Sequence, residues 1–211
     1  MPGAGDDGQA ADEATRGVDE SLDLARRSGW NAFLPWPESL RAGIDLANND
    51  LDRAEDRLDH AFAMSCHVGD PCWEGISARG LDLLRAIRGD VDGALNTLRD
   101  ARLRSTRLPD AYLWVDAYTL DAMCALATRH RLGERQHWAV ELSNLAARSG
   151  MRELVVRALV HRAALGDGEN LDVAASLAAG IDNPVIARLI AASSVPTRYQ
   201  PSTRPRPPHA R

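Results

Sequence analysis

Cys66, His67 and Cys72, with His60 seven residues before His67, are the side chains whose types could hold a metal, because thiolate and imidazole are the usual ligands of zinc. Their spacing does not fit such a site. Five residues separate Cys66 from Cys72 across a helix–helix turn, where common zinc motifs leave about two to four. His60 and His67 share one helical face but have no second cysteine pair beside them. A free cysteine packs as a small hydrophobe, and packing is the reading taken for all three cysteines. No metal and no cofactor is expected. Cys124 lies in the apolar run "DAMCALA", and His130, six residues on, falls off its face, so no Cys–His nucleophile is expected. The chain has no G-x-S-x-G and no H-E-x-x-H. Carboxylates are abundant, and Asp45, Asp82 and Asp121 each fall on the first helix of a pair. Helix starts and solvent faces account for them, which leaves no acid–base pair and points away from an enzyme.

Tryptophan and arginine offer binding rather than catalysis. Trp36, Trp73 and Trp114 each stand at or near the start of a first helix. Such recurrence fits a plug between stacked hairpins, or an aromatic anchor in a groove. Arg99, Arg102, Arg104 and Arg107 end one helix, where the dipole favours cations and a solvated face explains them. All 25 basic residues are arginine. A chain without lysine has no Schiff-base lysine and no P-loop. Leaving out the four arginines of the C-terminal tail, 21 positive charges face 30 negative ones, which disfavours nucleic acid. That tail contains "PRPP", a minimal polyproline-type ligand.

The elements that must position these residues are helical. Only 5% of the 211 residues are aromatic, β-branched residues are sparse, and Ala, Leu, Arg and Asp dominate. Residues 1–15 lack periodicity and read as a disordered leader; 16–192 read as one helical-repeat domain, and 193–211 as a Pro/Arg-rich tail. The leader has no apolar core of a secretory signal, the longest apolar runs are too short to span a bilayer, and the cysteines are sparse and odd in number. A cytoplasmic protein with no membrane partner is expected. Helix stops and starts mark a helix near 17–28, then pairs at 37–48/50–68, 71–88/90–107, 110–131/134–149 and 151–165/169–180, with a short helix after Pro184.

One turn is written twice. "NNDLDRAEDRL" at 48–58 and "RGDVDGALNTL" at 88–98 match at Asp50/Asp90, Leu51/Val91, Asp52/Asp92, Ala54/Ala94 and Leu58/Leu98. In each copy a Gly or Asn ends one helix, an Asp caps the next, and the second helix carries an apolar face of period 3.6. A hairpin of this size cannot bury its stripe alone, whereas stacked hairpins share one core. The expected fold is all-α, a solenoid of about four to five antiparallel helix pairs.

Gly89, Asp90, Ala94, Leu98 and Ala101 resemble the tetratricopeptide repeat, as do Asn49, Asp50, Ala54, Leu58 and Ala61. The first-helix signature departs from it at Asp82 and Arg85, and the period is near 40. The longer stretch from Ser28 to Gly75 resembles the C-terminal repeat region of actinobacterial LuxR-type and antibiotic-regulatory-type ATPase regulators. That resemblance implies a right-handed superhelix and a regulatory role in transcription. It does not carry over ATPase or DNA-binding activity, because this chain has no Walker motif and no recognisable helix-turn-helix. A non-catalytic scaffold for a protein or peptide partner is therefore expected. An inducer-sensing repeat is the alternative, and an enzyme the remote one. Tetratricopeptide-like packing would expose Trp36, Arg79 and His130 on the first helices as partner contacts.

Overall fold

A computed structural model describes residues 6–108 and 112–194, helices joined by short connections; residues 6–11 and 194 are described through their backbone. Ten α-helices and one 3-10 turn follow in order: α1 (Asp6–Arg27), the 3-10 turn (Asn31–Phe33), α2 (Pro35–Ala47), α3 (Leu51–Val68), α4 (Pro71–Ile87), α5 (Val91–Ser105), α6 (Leu113–Arg129), α7 (Arg135–Ser149), α8 (Arg152–Ala164), α9 (Glu169–Ala178) and α10 (Pro184–Ser194). The expected pairs are all present. The N-terminal helix differs: it begins at Asp6, so much of the segment read as a leader is helical. Nearly all of the expected tail lies outside the described residues.

The punctuation works as the turn chemistry requires. Gly69, Gly89 and Gly150 adopt positive φ at helix ends, and Asn49 does so with φ 60° in the earlier copy of the repeated turn. Asp70 caps α4 by accepting from the backbone N–H of Cys72 (2.9 Å) and Trp73 (3.3 Å), with Pro71 in the first turn. Asp90 caps α5 through the N–H of Gly93 at 2.9 Å. Asp50 departs from this pattern: it makes no capping bond and sits 3.3 Å from Arg53 instead. At the α6–α7 turn the left-handed residue is Arg131, with φ 55°, not the neighbouring Gly133.

Each helix packs on the next, and the even-numbered helices α2, α4, α6, α8 and α10 also touch in succession. The repeated apolar face is the contact surface. Ala54, Ala61, Ala94 and Ala101 are fully buried, as are Leu58 and Leu98 between them. Alanine at these positions lets the second helix of a pair approach its neighbours closely. The largest core runs from α5 to α8 around Leu98, Leu120, Met123, Leu142 and Leu154. Val156, Val160, Ala174 and Ile186 close the C-terminal end, and Leu22, Ala25 and Leu34 the N-terminal end. α6 is buried on nearly all sides, because it lies between neighbours in the chain and other even-numbered helices.

Candidate functional site: a groove lined by the first helices

Residues three, four and seven apart share one helical face, and α2 and α4 use this spacing to build a wall. Trp36, Ser39, Leu40, Gly43 and Leu46 from α2 face Ile76, Arg79, Gly80 and Leu83 from α4. Trp114, Val115 and Tyr118 from α6 and Arg157 from α8 complete a cavity of about 350 Å³. Its walls are mainly aliphatic and aromatic carbon.

The tryptophans contact one another at one end of the groove. Trp36 lies 5.4 Å from Trp73 and 5.3 Å from Trp114, the second pair edge to face at 84°. Phe33 meets Trp73 edge to face at 6.3 Å, and the exposed Trp30 stacks on Phe33 at 4.6 Å. Trp36 and Trp114 pack against each other from different helices and both line the groove. Trp73 is part of the cluster but does not line the groove.

A polar network runs from Tyr118 and Arg157, which line the groove. Tyr118 donates its hydroxyl to Glu153 Oε1 at 3.0 Å. Arg157 binds Asp121 Oδ2 at 2.9 Å and Glu153 Oε1 at 2.9 and 3.0 Å, and its guanidinium lies 5.4 Å from the Tyr118 ring centre. His161 Nε2 is 2.8 Å from Asp121 Oδ1, and Asn183 donates to Glu153 Oε2 at 3.1 Å. Burial would raise the Asp121 carboxyl, but His161, Arg157 and Arg79 together hold it below the usual carboxylate range. Burial and the nearby Glu153 push the Tyr118 phenol up to about 12.

Arg79 adjoins this network without a direct bond to its carboxylates. Its Nε donates to the Tyr118 carbonyl at 3.0 Å, and its guanidinium lies 5.9 Å from the Tyr118 ring centre. Burial lowers its pKa, with Asp121 opposing and Arg157 adding to the effect. No ion pair forms between Arg79 and any of the described residues, and its Nη1 and Nη2 make no hydrogen bond to them.

Of the three expected contact residues, Trp36 and Arg79 line the same groove. His130 does not: it caps the C-terminus of α6 as an exposed residue outside the cavity. Sequence reasoning missed Tyr118, Arg157, Leu40 and Gly43. Tyr118 and Leu40 were within reach, because each lies one helical turn after a tryptophan already singled out.

Several carboxylates and arginines read as solvated are buried or paired. Asp45, Asp82 and Asp121 are buried, as are Glu38, Glu74 and Asp116. Glu38 meets His60 at 2.6 Å and Arg26 at 3.4 Å; Glu74 meets Arg104 at 2.8 Å and Arg107 at 3.0 Å; Asp45 meets Arg57 at 2.9 Å. Arg102 bridges Asp116 on α6 and Glu141 on α7. Arg99 lies over the Trp138 ring at 5.4 Å. The helix-end arginines are thus clamps between helices. Cys66 is exposed, whereas Cys72 and Cys124 are buried, and burial pushes both of the latter thiols up to about 12. Among the described residues no three His, Cys, Asp or Glu side chains gather as a metal site, and no helix is long and apolar enough to cross a membrane.

No known protein-family model matches this chain, and no curated protein matches it either.

Proposed function

We propose that this chain is a non-catalytic binding module, a tetratricopeptide-like α-solenoid whose first helices present a preformed groove to a protein segment, as a regulatory element linked to transcription. The observation that carries this reading is the groove between α2, α4, α6 and α8. Succession contacts among the even-numbered helices support the solenoid arrangement. A groove already shaped by packed helices costs little reorganisation on binding. Its aromatic end, Trp36 and Trp114, has the composition of an interaction hot spot.

Gly43 supplies the test. A Cβ at this groove-lining position would meet nothing within 4 Å, so Gly43→Leu should narrow the groove, with a thermal melt as the check that the fold is kept. Parallel pull-downs from native lysate should retain a partner on the wild-type chain and lose it on the variant. Equal retention would overturn the groove as the binding site.

A second reading is supported by Arg79. In an inducer-sensing module, the same groove would hold a small molecule, and the open guanidinium donors of Arg79 are the kind of directional polar group that fixes a ligand's orientation.

A further inference from the structure

An arginine held among packed side chains is normally paired, because an uncompensated charge away from water is costly. Most other half-buried arginines follow this rule. Arg41 binds Asp45 and Asp19, Arg104 binds Glu74 and Asp100, and Arg157 binds Asp121 and Glu153. Arg79 and Arg135 are the exceptions, and of the two only Arg79 lines the groove. Its Nε is spent on a carbonyl, and the two Nη groups, which carry the planar fork that suits a carboxylate, have no partner among the described residues. The acids nearest to it are engaged: Asp121 by Arg157 and His161, Glu153 by Arg157, Tyr118 and Asn183.

We propose that the groove binds a small monocarboxylate with a flat apolar body, its carboxylate paired with the Nη1 and Nη2 of Arg79 and its body against Trp36 and Trp114. Resting on the inducer-sensing reading of the same groove, the assignment follows from three properties of the site. The Nη1 and Nη2 fork of Arg79 has no hydrogen-bond partner and matches the planar pair of acceptors of one carboxylate; a phosphate or dicarboxylate would bring a second charge towards Asp121 and Glu153. The remaining walls (Leu40, Ile76 and Leu83 among them) offer carbon and few polar partners, so the rest of the ligand is apolar. The cavity, about 350 Å³, falls at the small end of the roughly 300–1,000 Å³ typical of ligand sites, which favours a free small molecule over a longer chain.

The test is titration calorimetry of the full chain with 2-naphthylacetate and with its primary amide, which keeps the shape and removes the charge. The acid should bind the wild type at least ten-fold tighter than the amide. Arg79→Gln should abolish that preference while leaving amide binding in place, and Gly43→Leu should block both. Equal binding of acid and amide, or binding of neither, overturns the carboxylate assignment, and the first comparison needs no variant to fold. Blockage of both probes by Gly43→Leu without an acid preference overturns this inference and leaves the groove standing. Affinity unchanged by Gly43→Leu places the site elsewhere and overturns the groove as well. A third probe, an acetylated tripeptide ending in a free phenylalanine carboxylate, separates the two sources of the group. Tighter binding of the peptide than of naphthylacetate overturns the small-molecule assignment.

Discussion

Trp36 on α2 and Trp114 on α6 meet edge to face at 5.3 Å, although α3, α4 and α5 lie between them in the chain. Both rings line the groove. Aromatic pairs in this geometry contribute about 0.5–1.5 kcal/mol beyond the area they bury. A double-mutant cycle of Trp36→Ala and Trp114→Ala, followed by urea denaturation, should give a coupling energy of about 1 kcal/mol. A value near zero would mean that the rings are neighbours without mutual stabilisation.

Asp121 joins α6 to α8 through Arg157 and His161. Removing one partner of a buried ion pair costs about 3–5 kcal/mol, so Asp121→Asn should destabilise the chain by that order. The pH dependence has a defined sign. Asp121 is held below the ordinary carboxylate value, so its contribution is present above about pH 4 and is lost as pH falls through the folded value. The gap between wild type and variant should be full at pH 6 and shrink in acid.

Asp82 shows the opposite behaviour. It occupies the matching part of α4, yet burial pushes its carboxyl up to about 6 against the opposing effects of Thr97 and Arg85. Its Oδ2 is buried with no hydrogen-bond partner, and Arg85 lies 3.8 Å from Oδ1. The folded chain therefore binds a proton that the unfolded chain releases, and stability falls as pH rises from about 4 to 6. Asp82→Asn should remove this dependence. At pH 7 the variant should exceed the wild type by roughly 2–3 kcal/mol, at 1.36 kcal/mol per pKa unit, and the advantage should fade towards pH 4.

Gly80 and Gly43 line the same groove and should respond differently to alanine. At Gly80 a Cβ would press into the side chain of Leu58, which is buried where α3 meets α4. Gly80→Ala should cost about 1–3 kcal/mol by overpacking. At Gly43 a Cβ meets nothing within 4 Å, so Gly43→Ala should gain about 0.5–1 kcal/mol from helix propensity. Thermal melts of the two variants should move in opposite directions.

The thiols give a check on the packing. Cys66 is exposed, whereas Cys72 and Cys124 are buried and pushed up to about 12. Thiolate is the reactive form, so Ellman's reagent should titrate one thiol per native chain and all three cysteines after unfolding in guanidinium. Rapid reaction of a second thiol in the native chain would contradict the packing of α4 or α6.

Helices and their order were legible because their signals are local. Gly69, Gly89 and Gly150 end helices where a left-handed residue is needed, and Asp70 and Asp90 cap the next ones. The apolar period also marked Ala54, Leu58, Ala94 and Leu98 as core. Charge partners were not legible, because they lie on other helices. Arg157 stands 36 residues from Asp121, and Arg104 stands 30 from Glu74. A period of 3.6 tells which face of one helix is buried, but not which face of another meets it. Asp45, Asp82 and Asp121 were misread as solvated for this reason. The groove was half legible: Trp36 and Arg79 stood out by type, whereas Gly43 matters through the side chain it lacks.

The buried carboxylates have one more consequence, for the order in which the hairpins assemble. Hairpins of similar backbone can dock on the wrong neighbour, a common failure of repeat chains. Here two joints between hairpins carry different locks, at Arg102 and at Asp121, and two further locks, at Glu38 and Glu74, close a hairpin on itself. Glu38 takes His60 and Arg26, Glu74 takes Arg104 and Arg107, Asp116 and Glu141 share Arg102, and Asp121 takes Arg157 and His161. A hairpin docked out of turn at either joint would strand an unmatched charge away from water, so the Arg102 and Asp121 sets act as an address that tells these hairpins which neighbour is their own.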